Sequence, residues 1–291
     1  MNRNQKRYFC ASLATLVLIA AILLVPFPSS AASKGIPSTD RRAVALASAA
    51  ITDEPDVVRP TPTASADRMP SFIKQPSLSS ALSVEDLTGP LTPSDLASML
   101  VGEGVTIENV SFTGAEVSSG RFSGGQGVVG FDSGILLTTG AAMNVVGPNT
   151  SGSISTDNGL PGDPDLDVLS GYPTFDAAIL EFEFIPDADT IFFRYVFASD
   201  EYNEWVNSQF NDVFGFFVNG VNCALVEGTP ISINTINYGN PYGTEPNSHP
   251  GLYKNNDLED GGGSIDTEMD GLTEILTCSS AVIPNQPNHL K

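Results

Sequence analysis

The chain has 291 residues and a formal net charge of −21. With 34 Asp+Glu against 13 Lys+Arg it lacks the basic surface that a polyanion needs, which excludes nucleic acid as a partner and disfavours anionic membrane surfaces. Such acidity suits a divalent cation, a cationic partner or a salty exterior, or simply keeps an exported protein soluble.

The N-terminus sets the compartment. Met1 to Tyr8 carries Arg3, Lys6 and Arg7 and no acidic residue; Phe9 to Val25 is almost wholly apolar; Pro26, Pro28, Ser29, Ser30, Ala31 and Ala32 follow. A basic start, a short apolar run and a small-x-small exit predict a secretory signal peptide over 1–32, cut after Ala32. An uncleaved anchor helix is the alternative, but the run falls short of the roughly 20 residues that span a bilayer. Cys10 lies too early in the run for lipid attachment. No second run of spanning length follows, so the processed chain is expected to be secreted or held at a bacterial cell surface without membrane insertion. Residues 33–84 are dominated by Pro, Ser, Thr and Ala, as in Arg59-Pro-Thr-Pro-Thr-Ala-Ser-Ala-Asp67. Such a segment cannot bury enough apolar surface to offset its chain entropy and is expected to be a disordered linker.

The folded part is expected over 85–291, where four basic residues face 29 acidic ones, a net of −25. It opens with a short helix. Thr92 can cap, Pro93 suits the first helical position, Asp95 can answer the cap, and Leu96, Met99 and Leu100 share an apolar face ended by Gly102. Strand signals follow. Val105 to Phe112 alternates, and Gly127 to Phe131 and Gly134 to Thr139 are apolar runs bounded by glycine. Ala177 to Ile185 sets Leu180, Phe182 and Phe184 on one face and Ile179, Glu181 and Glu183 on the other. Thr190 to Ala198 and Asp212 to Val218 are apolar on both faces, as in strands covered on both sides. Cys223 to Val226, Ile231 to Ile236 and Glu274 to Cys278 complete the set. Many short strands between Gly, Asn, Asp and Pro clusters predict an all-β sandwich or jelly roll. Cys223 and Cys278 are the two cysteines left after processing. In an oxidising compartment they suggest one disulfide, against the alternative of two buried thiols.

Three segments can carry chemistry. In Gly162-Asp-Pro-Asp-Leu-Asp167, the alternating Asp163, Asp165 and Asp167 offer the hard oxygens that calcium takes from a flexible loop. The helix-loop-helix calcium pattern is absent, because Val168 and Thr174 stand where glycine and glutamate are needed. A solvated acidic turn is the plain alternative. The second segment, Ala198 to Asp212, joins two apolar strands and holds Asp200, Glu201, Glu204 and Asp212 among Asn203, Asn207 and Asn211. Asp200, Glu201 and Asp212 are candidate metal ligands shared with the aspartate loop, and Tyr202 and Trp205 are a candidate ligand platform for a glycan. The alternative is a structural loop in which Trp205 covers the core and the Asn and Asp side chains bond backbone. Third, Glu181 and Glu183 lie roughly 7 Å apart along one strand face, a spacing that glycoside hydrolysis tolerates and that any exposed strand offers. His249 and His289 complete no zinc pattern, and no serine-hydrolase, redox or phosphate-cradling pattern is present.

With these residues in view, the chain from about Leu91 onward resembles the choice-of-anchor L domain family. The resemblance is carried by Leu96-Ala-Ser-Met-Leu100, Gly134-Ile-Leu-Leu-Thr-Thr-Gly140, Gly162 to Asp167, Asp176 to Phe184, Ile231 to Asn237, Glu268-Met-Asp-Gly-Leu-Thr273 and, most specifically, Phe197 to Phe217. It implies a secreted bacterial surface protein, with no common enzymatic activity and no agreed site residues. Relatives usually continue past the position of Lys291 into more strand and an anchor. The chain is therefore expected to be C-terminally truncated, with an open sheet edge.

The reading that joins these observations is a non-enzymatic extracellular binding or adhesion module, with calcium as the candidate stabilising ion and a protein or glycan as the partner. One alternative is a carbohydrate-active enzyme using Glu181, Glu183 or the Asp200 region. The other is a structural surface component without a ligand.

Overall fold

Alternation of apolar and polar residues, the strongest signal after Gly104, is realised as antiparallel sheet. The computed structural model describes residues 16–21, 82–101 and 105–291. The chain divides into two compact units, 1–27 with 79–291 and 28–78, and every described residue lies in the first. The expected linker lies outside the described residues except for its last three.

In chain order the strands are β1 Leu16–Ala21, β2 Ser83–Asp86, β3 Thr106–Thr113, β4 Ser119–Ser123, β5 Ser133–Thr138, β6 Ile179–Ile185, β7 Thr190–Ser199, β8 Val213–Phe214, β9 Phe217–Val218, β10 Val221–Asn222, β11 Leu225–Val226, β12 Thr229–Ser232, β13 Tyr253–Asn255, β14 Gly271–Thr273, β15 Leu276–Ala281 and β16 Asn288–Leu290. The larger sheet runs β13-β14-β7-β1-β5-β4-β2, with β15 also on β7; the second runs β10-β9-β16-β6-β3; β11, β12 and β8 form a small third.

The two larger sheets face one another as a sandwich. Ile135, Phe193, Tyr195 and Phe197 from one meet Leu180, Phe182, Phe184, Val218 and Leu290 from the other in a single buried cluster. Phe193 stacks on Phe216 at 3.9 Å between ring centroids, and Tyr195 leans on Phe214 at 5.0 Å. The opposite face of the larger sheet is also covered. Leu136, Val196, Ala198 and Leu272 pack there against Phe122, Val129, Phe131, Ala142, Val145 and Met269. This second layer explains why β7 is apolar on both faces: odd positions to Phe197 feed one core, Val196 and Ala198 the other. Cys223 and Cys278 are joined in a disulfide, their Cα atoms 5.4 Å apart.

Helix α1, Pro93–Leu100, has the expected capping box between Thr92 and Asp95, and it buries Leu96, Ala97 and Leu100 while Met99 stays exposed. Gly127 to Phe131, read as strand, is a turn folded onto the second core. The expected strand over 212–218 is interrupted at 215–216 into β8 and β9, and at Gly215 the Phe217 ring and Leu169 occupy the space where a Cβ would stand.

Strand β1 comes from the apolar run of the expected leader. It pairs antiparallel with β5 on one side and with β7 on the other, Leu16 opposite Ser199 and Ala21 opposite Arg194. Excision after Ala32 would take this strand out of the sheet. Among the described residues no helix is long and apolar enough to cross a membrane.

Candidate functional site

The aspartate loop folds as a helix. In α2, Pro164–Ser170, Asp163 is the N-cap, accepting from the amides of Asp165 and Leu166 at 3.0 and 3.3 Å, and Gly171 closes the helix in the left-handed region at φ 77°. Lys291 Nζ donates to both oxygens of Asp163 at 2.9 and 2.8 Å and to Asp165 at 2.7 Å. Burial works against the Lys291 charge, but the two aspartates hold its pKa above the usual lysine range. Asp167 accepts from the Thr174 hydroxyl and amide at 2.7 and 2.6 Å, which keeps its carboxyl below the usual range. These three carboxylates are thus occupied in capping a helix, tethering residue 291 and closing a turn. Among the described residues, no three His, Cys, Asp or Glu side chains are set to ligate a metal.

The second expected segment lies at the end of β7, where the chain leaves the sheet. Asp200, Glu201 and Asp212 are all buried or nearly so. Asp212 accepts from the Ser199 hydroxyl at 2.7 Å; burial pushes its pKa up to about 6 against that bond. Asp200 is only 3% exposed, and neither of its carboxylate oxygens has a hydrogen-bond partner. Its pKa is pushed up to about 10, first by burial and then by the charges of Asp270, Glu268 and Asp212. The backbone amide of Asp270 faces Asp200 and opposes the shift, yet no hydrogen bond of normal geometry reaches it.

Asp270 is the residue that sequence reasoning missed. Strand β14 pairs with β7 through Gly271 opposite Ser199 and Leu272 opposite Ala198. Asp270 and Asp200 are the residues that immediately adjoin the end of that ladder. Asp270 is fully buried; Asn149 donates to its Oδ1 at 2.7 Å, while Oδ2 has no partner. Burial, with Asp257, Glu204 and Glu268 nearby, pushes it up to about 8 in spite of the Asn149 bond. Two further asparagine and threonine contacts frame the pair. Asn256 ties its side-chain amide to the carbonyls of Thr267 and Met269 at 3.0 and 2.9 Å. Glu268 accepts from the Thr150 amide and hydroxyl. The available signal was Glu268-Met-Asp270, a second short acidic alternation far along the chain.

Of the expected pair Tyr202 and Trp205, the first is turned inward. Tyr202 is fully buried, with its hydroxyl donating to the Ile236 carbonyl at 2.6 Å, so it serves the core. Trp205 packs partly buried against that core and edge-on to Phe210 at 4.7 Å. Exposed instead are Tyr238 and Tyr242, stacked at 4.8 Å with 29° between their planes. Their loop is closed at its base by the paired backbones of Asn237 and Ser248. Gly239, at φ 92°, has the Thr244 carbonyl where a Cβ would stand, so the loop tolerates only glycine there. Tyr242 continues an aromatic row inward, 6.1 Å to Tyr253 and then 4.8 Å to Tyr202. Its amide donates to Asp260 Oδ2 at 3.0 Å, and Asp260 also accepts from Asn203 at 3.3 Å.

Glu181 and Glu183 lie half-exposed on β6; Asn109 donates to Glu183 at 2.7 Å, and His289 lies 3.5 Å from Glu181. A mainly apolar cavity of about 360 Å³ opens between α2 and the sheets, lined among others by Leu137, Leu166, Phe175, Ile179 and Leu290.

The family model of the Choice-of-anchor L domain matches residues 84–291. No curated protein and no solved structure matches the chain.

Proposed function

Since the chain belongs to the Choice-of-anchor L family, and is in that respect a surface-associated bacterial protein, we propose that it is a non-enzymatic binding module that engages a glycan outside the cell. The observation that carries this reading is the exposed Tyr238–Tyr242 stack. Aromatic rings are apolar bodies with polar tips, suited to a partner that is itself part apolar and part wet. The C–H faces of a sugar ring are such a surface. Exposed polar side chains border the stack: Asn240 in the same loop, whose amide donates to the Glu204 carbonyl, and Glu245, which accepts from Asn247. The inward row through Tyr253 anchors the platform to the core, so little ordering is lost on binding. The signal peptide expected over 1–32 supports an extracellular setting.

The test is binding of the purified protein to a polysaccharide panel, alongside Tyr238→Ala and Tyr242→Ala. Retained glycans whose affinity falls roughly tenfold or more in either variant are expected, since truncating an aromatic anchor of an interface costs about 2 kcal/mol. Failure to retain any glycan, or retention indifferent to both substitutions, removes the reading. Capture of an extracellular protein through the same tyrosines would replace glycan by protein. Release of reducing ends, abolished by Glu183→Gln, would favour the hydrolase alternative.

A further inference from the structure

The pairing of β14 with β7 ends at Gly271 opposite Ser199, and the next residue of each chain segment is an aspartate, Asp270 and Asp200, at the edge of the core. Like charges held close at the end of a ladder repel. Both side chains are almost wholly enclosed, Asp200 at 3% and Asp270 at 0% exposure. Three of their four carboxylate oxygens have no hydrogen-bond partner. Buried polar atoms are nearly always satisfied, and an enclosed charge without a partner is among the costliest arrangements a fold can hold. The surroundings add charge of the same sign. The charges of Glu268 and Asp212 act on Asp200, and those of Asp257, Glu204 and Glu268 on Asp270. Among the described residues no Lys, Arg or His pairs with any of these acids; Lys254 is bonded to Glu274 at 2.8 Å and Lys291 to Asp163 and Asp165.

We propose that Asp200 and Asp270 hold a hard divalent cation, calcium, between β7 and β14. The acidic side chains here offer oxygens: the carboxylates of Asp200 and Asp270, and Glu268, which is held by Thr150. Calcium takes six to eight oxygens in flexible geometry and accepts backbone carbonyls and water. A site with only two carboxylates at its centre therefore needs no third acid at ligand distance. A divalent ion neutralises both carboxylates and gives the unpartnered oxygens something to bind. The ion would fasten the 199–212 connection to the 256–270 connection. Those two segments carry Asn203 and Asp260, through which the Tyr242 amide is held. The cation site stands independently of the glycan reading, and its test does not involve a glycan.

The experiment is calcium titration of the purified, chelator-treated protein by calorimetry, with thermal melts in chelator and in millimolar calcium. Magnesium is the second ion, Asp200→Asn and Asp270→Asn are the variants, and Glu227→Gln, on an exposed turn, is the control. One bound calcium per chain is expected, with a higher melting temperature. Affinity should fall roughly tenfold or more in each Asp→Asn variant and stay unchanged in the control. Both variants keep side-chain volume and replace a buried ionisable group by one that cannot ionise, so their melting temperature in chelator is expected to match or exceed that of the parent. Terbium luminescence sensitised by Tyr253, and quenched by calcium, supplies a readout that does not depend on stability. No heat, no melting shift and no luminescence in the parent would overturn the proposal. So would a calcium response that survives in both Asp→Asn variants.

Discussion

In chelator, raising the pH from about 5 to about 8 should lower the stability of the folded domain. Burial keeps Asp200 protonated in the folded chain up to about 10 and Asp270 up to about 8, whereas both start from 3.8 when exposed. Through this interval the folded chain binds more protons than the unfolded chain, so stability falls as pH rises. One excess proton corresponds to about 1.4 kcal/mol per pH unit, hence about 4 kcal/mol over three units if the pair retains one. For a domain of this length that is a fall in Tm of roughly 8–16 °C. Asp212, pushed up to about 6, adds to the slope in the lower part of the window. Asp95 and Asp167, whose pKa values are lowered by bonds to Thr92 and Thr174, act in the opposite sense. Their contribution is lost only as pH falls through those lowered values, outside the window. Calcium competes with the proton, so in millimolar calcium the profile should flatten, and the gap between the calcium and chelator curves should widen with pH. Urea unfolding followed by Trp205 fluorescence at several pH values gives both curves. A chelator profile that is flat, or that rises from pH 5 to 8, would refute the claim that buried carboxylates stand here without a countercharge.

Other consequences are separable. The Cys223–Cys278 bridge closes a loop of 55 residues, so loop-closure entropy puts its contribution at about 4 kcal/mol; reduction should lower the urea midpoint, and an unmoved midpoint would contradict the bridge's role. A Cβ at Gly271 would come within 2.4 Å of the Tyr202 ring, so Gly271→Ala should destabilise by roughly 1–3 kcal/mol in the same assay, and a neutral result would show that the ring can move. Mass spectrometry of the exported chain should find its N-terminus after Ala32. Hydrogen exchange at 135–138 and 194–199 should then be faster than in the unprocessed chain, because those positions lose β1. An exported chain that retains Met1 would instead make β1 a permanent strand.

Much of the architecture was legible in the order of residues alone. The alternation of Leu180, Phe182 and Phe184 with Glu181 and Glu183 defines β6 and its buried face, because strand side chains point to opposite sides with a period of two. The Thr92–Asp95 box defines the start of α1, because its partners lie three residues apart. Even the apolar character of β7 on both faces correctly demanded a second covering layer. Local signals misled where they were short. Asp163, Pro164 and Gly171 are cap signals at both ends of α2, but seven residues are too few for a helical period to stand out from an acidic turn. Gly127 to Phe131 had the apolar content of a strand and no partner strand to pair with. The candidate site depended on tertiary structure for a simpler reason. Tyr202 is drawn inward by the core it caps, whereas Tyr238 and Tyr242 are among the exposed rings. Asp200 and Asp270 are neighbours only because β14 pairs with β7 in one register, and a slip of one residue would turn every side chain of β14 to the opposite face. Local sequence sets which face of a strand is buried; which strands meet, and at what register, is set by packing across the whole sandwich.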